Sequence, residues 1–335
     1  MGMGWIDDAA YVLGSELSVA QTLGTGMRTS VARCWVDGST TATGGARTVI
    51  AKCFHSKAMS HNSGGLGIVR EIAGLRSLAN APLCYAADQD LGVVVMEDVP
   101  GTSLGTILAG NDPSAALAAA EMWGRATATV MAASKQETPD RPTCDSNDAE
   151  LEMFATLRGG EAAEVVTQAD PRPGNVLITD HARFVDYEAA SVHHPAVDVV
   201  NLVMPWASCD GLVGVPAEFV AAVRDGFLAG SRHAGSWLAN EPMIGLAGTA
   251  ATLQLTELSL DSLRRDRRNQ RSGMARSAMV YRWSWTAAHG TLTPIIADLC
   301  GRMAQRAVRS WGWPEHLSVA HCFSPENLRC QGRPM

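Results

Sequence analysis

The chain has 335 residues, a formal net charge of −7 and a pI near 5.7, and 46% of its residues are hydrophobic. Its length allows two modest domains, each with a core of its own. The mild acidity argues against a nucleic-acid partner. No apolar run reaches the roughly 18–20 residues of a membrane span, and the acidic N-terminus is unlike a signal region. We therefore expect a cytoplasmic protein. Its eight cysteines lack CxxC spacing, which argues against a zinc site or a disulfide framework.

The first hundred residues alternate in the way that strands do, with a short helix at the start and a longer one in the middle. In the longer helix, Ile68, Ile72, Leu75 and Leu78 fall on one face. The predicted elements, in chain order, are a helix at 6–17, strands at 19–23, 30–36 and 48–54, a helix at 65–79, and strands at 83–88 and 92–98.

Beyond residue 101 the composition changes to alanine-rich stretches, which predict helices at 114–134 and 216–230. Residues 135–149 are polar, contain two prolines and are predicted to form a loop. The last 130 or so residues look mostly helical. The pattern indicates an α+β protein with a small β-rich N-lobe at 1–98 and a larger, mostly helical C-lobe at 99–335.

The segment 165–189 carries the polar residues with the most informative spacing. Asn175 follows Asp170 by five residues, and Asp186 follows Asn175 by eleven. The apolar runs between them predict a loop, a strand, a turn at 179–181 and a second strand that ends in Asp186. Phosphoryl transfer needs such a set, because one carboxylate takes a proton from a hydroxyl while an amide oxygen and a second carboxylate hold Mg²⁺. Taken singly, these are common loop residues.

Two features upstream bear on the same chemistry. The turn that contains Gly24 and Gly26, followed by Thr29 and Ser30, could close backbone N–H groups over phosphates, although a plain hairpin turn would also explain it. It lacks the lysine of a P-loop.

Lys52 lies in an apolar strand, where burial is costly unless the ammonium meets an anion. Glu71, nineteen residues on, could supply that anion. The alternatives are a solvent-facing Lys52 and a Glu71 whose only partner is Arg70.

In this order, the glycine turn, the strand lysine, the helix glutamate and the Asp-Asn-Asp set resemble the aminoglycoside phosphotransferase and choline kinase superfamily, over residues 19–204. The resemblance implies a bilobal protein-kinase-like fold, with Mg²⁺ as cofactor and ATP or GTP as phosphoryl donor. It implies the following roles: Asp170 as catalytic base, Asn175 and Asp186 as Mg²⁺ ligands, Lys52 as the phosphate contact and Glu71 as its partner.

The resemblance also places the nucleotide base against the main chain of residues 96–99, with Glu97 and Val99 as the binding positions. The chain departs from the family where the family usually has His-Gly-Asp, because it has Gln168 and Ala169 before the Asp. A Gln side chain can donate and accept hydrogen bonds in place of the His.

Three further residues have supporting roles by resemblance. Arg172 would balance phosphate charge, Glu188 could reach the same metal ions or lie at the surface, and Asp198 would hold the catalytic loop.

The acceptor would bind in the C-terminal helical region. Acidic helix residues there would suit a polycationic aminoglycoside, whereas an arginine cluster would suit an anionic or neutral acceptor. The alternative for the arginines is a solvated helix face with ion pairs to Asp261 and Asp266. Trp283 and Trp285 could stack on a sugar or nucleobase, or pack in the core. The acidic residues are Asp225, Glu257 and Asp261, and the arginines are Arg264, Arg265, Arg267, Arg268, Arg271, Arg276 and Arg282.

The function that follows is a small-molecule O-phosphotransferase. Its partners would be a nucleotide and a hydroxylated acceptor, namely an aminoglycoside or another sugar- or nucleoside-containing antibiotic, in resistance or self-protection. Three alternatives stay open: a metabolic kinase of a small alcohol or sugar, a kinase-like nucleotide-binding protein that has lost turnover, and a helical interaction protein. We expect a monomer or a homodimer, with no nucleic-acid or membrane partner.

Overall fold

The computed structural model describes residues 4–25, 28–37, 41–55, 65–133, 154–158, 165–204, 213–265 and 270–330. They fall into two compact units, the first within 1–101, 167–169 and 183–191, and the second within 102–166, 170–182 and 192–335. Across these ranges, no helix is both long enough and apolar enough to span a membrane. The cysteines with described side chains are free thiols, namely Cys34, Cys53, Cys84, Cys300 and Cys322.

The first unit contains a five-stranded antiparallel sheet in the order β1-β2-β3-β5-β4. On β3, Val49 and Ala51 lie on one face and pack with α1, while Lys52 lies on the other face, toward α2. The strands are β1 (Glu16–Thr25), β2 (Thr29–Asp37), β3 (Thr48–Phe54), β4 (Cys84–Asp88) and β5 (Val93–Glu97), and the helices are α1 (Gly4–Leu13) and α2 (Gly65–Ser77).

The predicted apolar face of α2 is confirmed, since Ile68, Ile72, Leu75 and Leu78 are all buried. The predicted first helix, 6–17, is wrong at its end. Gly14 has a φ of +72°, in the left-handed region that commonly ends helices, and β1 begins at Glu16.

The remaining elements are mostly helical. The strands are β6 (Thr102–Ser103), β7 (Val165–Thr167), β8 (Val176–Ile178), β9 (Ala182–Phe184) and β10 (Ser191–His193). The helices are α3 (Leu104–Leu108), α4 (Pro113–Ala133), α5 (Ala196–Val203), α6 (Ala217–Gly230), α7 (Ala234–Leu238), α8 (Glu241–Arg265), α9 (Gln270–His289), α10 (Pro294–Trp311) and α11 (Pro325–Cys330). Short 3₁₀ helices lie at Thr41–Thr43, Phe154–Arg158, Pro173–Asn175 and His321–Phe323.

In the second unit, α4 and α6 are the predicted alanine-rich helices, and they pack backbone to backbone. A Cβ on Gly124 would lie 1.9 Å from the Val223 carbonyl oxygen, and a Cβ on Gly226 would lie 2.0 Å from the Glu121 carbonyl oxygen. Only glycine fits at such an approach. Elsewhere in the unit, buried side chains of α9 and α10 form a hydrophobic cluster around Trp283.

Together these elements confirm the predicted fold class: an α+β chain with a small sheet-containing N-terminal part and a larger helical part. One detail of the catalytic segment is wrong. The second strand ends at Phe184, two residues before Asp186, because Asp186 has a φ of +69° and cannot continue a strand. The loop predicted at 135–149 lies outside the described residues.

Candidate functional site

The first unit buries a lysine among three carboxylates. Lys52 Nζ lies 3.0 Å from Glu71 Oε2 and 2.6 Å from Asp186 Oδ1. A third carboxylate, that of Glu188, has its Oε2 4.0 Å away. The Lys52 and Glu71 side chains are only 6% and 0% exposed. Lys52 is therefore not a solvent-facing strand residue, and Arg70 is not the only partner of Glu71.

The electrostatics of this cluster leave an excess of negative charge. Burial alone would lower the pKa of the Lys52 ammonium, but the carboxylates of Glu71, Asp186 and Glu188 raise it above its ordinary value. Burial also raises the pKa of Glu71, an effect that the ammonium opposes and the other carboxylates reinforce. When ionised, one ammonium and three carboxylates carry a charge of −2, and the Arg28 guanidinium 3.1 Å from Glu188 brings it to −1. A divalent cation is attracted to such a place.

The backbone around Asp186 is held by Gln168. The Gln168 Nε2 atom donates to the carbonyl oxygens of Val185 at 3.0 Å and Asp186 at 2.9 Å, and the side chain is buried. Asp186 has a φ of +69° and Ala169 a φ of +60°. Left-handed non-glycine residues are costly and cluster at functional sites. At position 169 the cost arises because the residue is Ala, whose Cβ disfavours this backbone conformation, and not Gly.

The predicted catalytic loop lies in the second unit and is a tight turn. The Asp170 carbonyl oxygen accepts from the Arg172 backbone N–H at 2.8 Å and from Asn175 Nδ2 at 3.0 Å. The Asp170 carboxylate Oδ2 lies 3.3 Å from Arg172 Nε and 3.4 Å from Asn175 Nδ2. Its side chain is 25% exposed. Asp170 thus has both hydrogen-bonded neighbours and access to solvent, as a proton acceptor requires.

Asn175, in the second unit, and Asp186, in the first, each have oxygen atoms of a kind that magnesium binds. Because the Asn175 amide nitrogen donates to the backbone, Oδ1 is the atom of that residue that would ligate. Carboxylate and amide oxygens are hard donors of the kind that Mg²⁺ binds, usually with one or two carboxylates plus substrate phosphates. In the part of the chain that the structure describes, no group of three or more His, Cys, Asp and Glu side chains is arranged to hold a metal ion.

The predicted glycine turn is described only in part. Gly24 lies on β1 and is exposed, Thr29 begins β2, and Gly26 lies outside the described residues. Ser30 is buried, and its Oγ lies 2.7 Å from Nε2 of His55 at the end of β3. The Ser30 hydroxyl therefore already has a protein partner beside the turn.

Arg28, beside the same turn, places its guanidinium 3.1 Å from Glu188 Oε1. The Arg28 side chain is 55% exposed, so solvent weakens this ion pair. The contact nonetheless joins the turn to the segment that carries Asp186, and it shows Glu188 at 14% exposure rather than at the open surface.

The segment 96–99, predicted to meet the nucleotide base, has side chains engaged by the protein. Glu97 forms a two-pronged ion pair with Arg183, and Asp98 forms another with Arg33. Val99 is buried. The Glu97 backbone N–H donates to the Leu83 carbonyl oxygen at 2.8 Å, and the Val99 carbonyl oxygen accepts from the Gly101 N–H at 2.8 Å. A main-chain contact of this segment with a nucleotide base stays a prediction.

Asp198 lies in the first turn of α5 and binds a histidine. Its Oδ2 lies 2.6 Å from Nε2 of His193, and both side chains are buried. The predicted role of holding the catalytic loop stays a prediction.

The two tryptophans proposed for the acceptor pocket both stack on other rings of the protein. Trp283 is buried, stacks on Trp313 with ring centroids 5.9 Å apart and donates to Thr256 Oγ1 at 3.0 Å. Trp285 stacks on His289 at 4.3 Å. For Trp283, core packing is the correct alternative.

Among the charged residues proposed for the acceptor region, Arg282 is fully buried, so a solvated helix face is wrong for it. Arg276 lies over the Trp313 ring, and Asp225 and Glu257 are exposed. The side chains of Asp261, Arg264, Arg265, Asp266, Arg267, Arg268 and Arg271 lie outside the described residues.

Four polar side chains that contact predicted site residues are not among the residues predicted from the sequence: Arg28, His55, Arg183 and His193. A weak signal exists for Arg183, since it is a charged residue at the start of the apolar run before Asp186. Its partner Glu97 is 86 residues away in sequence, a separation that no local pattern reveals.

No protein-family model matches the chain, and no curated protein matches it. Three solved structures are similar in backbone path. A candidate fructosamine-3-kinase of Thermobifida fusca is 16% identical, with a TM-score of 0.48 over 90% of this chain and 98% of that one. An ethanolamine kinase of Plasmodium vivax is 11% identical, with a TM-score of 0.49 over 80% and 82%. A macrolide 2′-phosphotransferase of Brachybacterium faecium is 15% identical, with a TM-score of 0.43 over 78% and 98%. At these identities and TM-scores the likenesses do not indicate a reaction, so a function has to be inferred from the chain's own side chains.

Proposed function

We propose that the protein is a Mg²⁺-dependent O-phosphotransferase that moves the γ-phosphoryl group of ATP or GTP to a hydroxyl of a small molecule. The observation that supports this most is the buried contact of Lys52 with Glu71 and Asp186. A lysine kept this far from water needs an anionic surrounding, and a cluster with more carboxylates than ammoniums suits a site for a metal ion and phosphates.

In the proposed reaction, the acceptor hydroxyl attacks the γ-phosphorus and its proton passes to the Asp170 carboxylate. The bond from that phosphorus to the bridging oxygen breaks, and the nucleoside diphosphate leaves. The 25% exposure of the Asp170 side chain lets a hydroxyl approach it. Bound Mg²⁺, held by Asn175 and Asp186, would neutralise phosphate charge. Arg172, whose Nε lies 3.3 Å from Asp170 Oδ2, would balance the charge of the γ-phosphate beside the catalytic base.

We propose that residues 1–98 supply most of the groups that bind the nucleotide. Residues 99–335 would supply the catalytic base, Asp170, and the acceptor pocket. Lys52 would bind phosphate oxygens, with Glu71 fixing its position. Gly24, Gly26, Thr29 and Ser30 would line the phosphates, and the main chain at Glu97 and Val99 would meet the base.

For the acceptor, we propose an antibiotic-like molecule, either an aminoglycoside or another sugar- or nucleoside-containing compound, in resistance or self-protection. The test is a mass-spectrometric screen for the gain of one phosphate by hydroxylated antibiotics, simple sugars and small alcohols, with ATP and GTP in parallel and with a chelator as control. Phosphate gain only on sugars or small alcohols would replace the antibiotic by a metabolic acceptor. Nucleotide binding without transfer to any acceptor would favour the turnover-deficient alternative.

A further inference from the structure

One guanidinium in the first unit connects three segments that the proposed site depends on. Arg183, on β9, donates from Nη1 to Glu97 Oε1 and from Nη2 to Glu97 Oε2, both at 2.7 Å. The two side chains are 15% and 22% exposed. A two-pronged, partly buried pair of this kind is strong and directional, because the planar fork matches the carboxylate.

The same guanidinium also holds the loop that follows α2. Arg183 Nη2 donates to the Ala81 carbonyl oxygen at 2.9 Å, and Nε donates to that of Asn80 at 3.3 Å. Asn80 has a φ of +62°, so this loop is a tight left-handed corner. Because α2 carries Glu71, a shift of the corner would move the helix that positions the lysine's partner.

The carboxylate of Glu97 is tied to the strand beside it as well. Glu97 Oε2 accepts from the backbone N–H of Leu83 at 3.0 Å. The hydrogen bonds from Arg183 and Leu83 and the charge of Arg183 lower the pKa of the Glu97 carboxyl, so it is ionised at neutral pH. Arg183 itself lies three residues before Asp186 along the chain.

A second arginine provides an internal comparison. Arg33, on β2, donates from Nε to Asp98 Oδ2 at 2.7 Å and from Nη2 to Asp98 Oδ1 at 3.0 Å. Its Nη1 reaches Gln21 on β1. Arg33 therefore holds the same 96–99 segment as Arg183 does, but from the sheet side, and its contacts join it to neither the α2 corner nor the segment that carries Asp186.

We propose that Arg183 is a positioning residue for nucleotide binding: by joining the base-binding segment 96–99, the corner after α2 and the strand before Asp186, it aligns the base contact with the phosphate and metal contacts. Arg183 touches no nucleotide in this scheme. The inference rests on the proposed function, since it requires that a nucleotide binds in the first unit.

The test compares Arg183→Gln, Arg183→Lys, Glu97→Gln and the comparison variant Arg33→Gln with the wild type. Calorimetry gives the Kd of the Mg²⁺ complex of ATP or GTP, whichever the wild type binds more tightly, and of the matching nucleoside. Circular dichroism and the midpoint of thermal unfolding, without nucleotide, establish folding. Where transfer is measurable, KM and kcat are separated. Arg125→Gln is the matched control, because Arg125 is an exposed arginine paired with Glu121 in the second unit.

In Arg183→Gln we expect the nucleotide Kd and KM to rise about tenfold or more, the factor that corresponds to losing one charge-assisted hydrogen bond, with a smaller change in kcat. Arg183→Lys keeps the positive charge but not the planar guanidinium, and its nucleotide Kd should lie between those of the wild type and Arg183→Gln. Arg33→Gln should weaken the binding of the nucleoside and of the nucleotide by the same factor. Arg183→Gln should weaken the binding of the Mg²⁺-nucleotide complex more than that of the nucleoside, because it also disturbs the phosphate and metal contacts. The control should bind like the wild type.

A folded Arg183→Gln protein with wild-type nucleotide affinity would overturn the proposal. If Arg183→Gln does not fold, the nucleotide affinities of Arg183→Lys and Glu97→Gln decide in the same way. If none of the three variants folds, Arg183 serves stability alone, and the proposal is overturned too. Failure of the proposed function is distinguishable, because the wild type itself would then bind neither ATP nor GTP.

Discussion

Replacing Lys52 by Met tests whether the buried cluster is energetically coupled as its geometry indicates. Methionine keeps the length and apolar stem of the side chain but removes the ammonium. Glu71, at 0% exposure, would then be a buried carboxylate without its charge partner at 3.0 Å. Removing one partner of a buried ion pair typically costs about 3–5 kcal/mol. We expect the lower end of that range, because Asp186 is 26% exposed and solvent screens its share.

The loss should depend on pH, with a sign that follows from burial. In Lys52→Met, Glu71 keeps the burial that raises its pKa and loses the ammonium that lowers it. A carboxyl whose folded pKa lies above its unfolded value of about 4.3 favours folding in its protonated form. Burial holds the folded pKa of Glu71 at about 7 even beside the ammonium, so in Lys52→Met it lies higher still. The deficit should therefore be largest on the alkaline side of neutrality and shrink as the pH falls through the raised pKa towards about 7. The double variant Lys52→Met/Glu71→Leu removes both charges and should recover about half of the deficit or more.

Hydrogen exchange of backbone amides in β3 and α2, read by mass spectrometry, measures opening of the first unit separately from the second. The comparison is made at about pH 8.5 and at about pH 6, on the two sides of the raised pKa, with correction for intrinsic exchange rates. Arg125→Met, an exposed arginine in the second unit, is the control and should change opening in β3 by less than about 0.5 kcal/mol. A Lys52→Met cost below about 1 kcal/mol, or a double variant no more stable than the single one, would refute the coupling.

Three further predictions concern the residues around Asp186. Asp186→Ala should reduce the Mg²⁺-dependent part of nucleotide affinity at least about tenfold by calorimetry, and an unchanged magnesium dependence would contradict its role as a ligand. Ala169→Gly should raise the free energy of unfolding by about 0.5–1 kcal/mol. The change removes the cost of a left-handed backbone at alanine, roughly 1–2 kcal/mol, and adds the larger conformational entropy of glycine in the unfolded chain, roughly 0.5–1 kcal/mol. A urea titration in which the variant is less stable would show that the strain is absent. Gln168→Ala should lower the free energy of unfolding by about 1–3 kcal/mol, because the Val185 and Asp186 carbonyl oxygens lose the Gln168 donor, and it should also weaken binding of the Mg²⁺-nucleotide complex. Gln168→His should lose less of both the stability and the affinity. Equal behaviour of the two variants would refute the positioning role of the amide.

Much of the first unit could be predicted from local pattern. The period-2 alternation on β3 places Lys52 away from the face that packs on α1, and the period of α2 places Ile68 and Ile72 inward. Once the strand and the helix are recognised, the Lys52–Glu71 pair follows from the cost of burying a lone ammonium. These features depend on neighbours in sequence, and sequence therefore reveals them.

What could not be predicted depends on distant contacts or on backbone angles. The sequence predicts a strand that reaches Asp186, but the strand ends at Phe184 because Asp186 has a φ of +69°. Gln168 holds the backbone of Val185 and Asp186 from 17 and 18 residues away. The ion pairs of Glu97 and Asp98 join residues 86 and 65 positions apart. Side chains that meet across such distances leave no periodic trace in the sequence.

Phosphoryl transfer with Asp170 as the catalytic base is tested by a matched pair of measurements on one variant. Asp170→Ala and the wild type are compared for the initial rate of phosphate gain on the acceptor found in the screen, and for the Kd of the Mg²⁺-nucleotide complex. We predict that the variant loses transfer by about 10²-fold or more while the nucleotide Kd stays within about threefold of the wild type. A fully active Asp170→Ala protein would contradict the account.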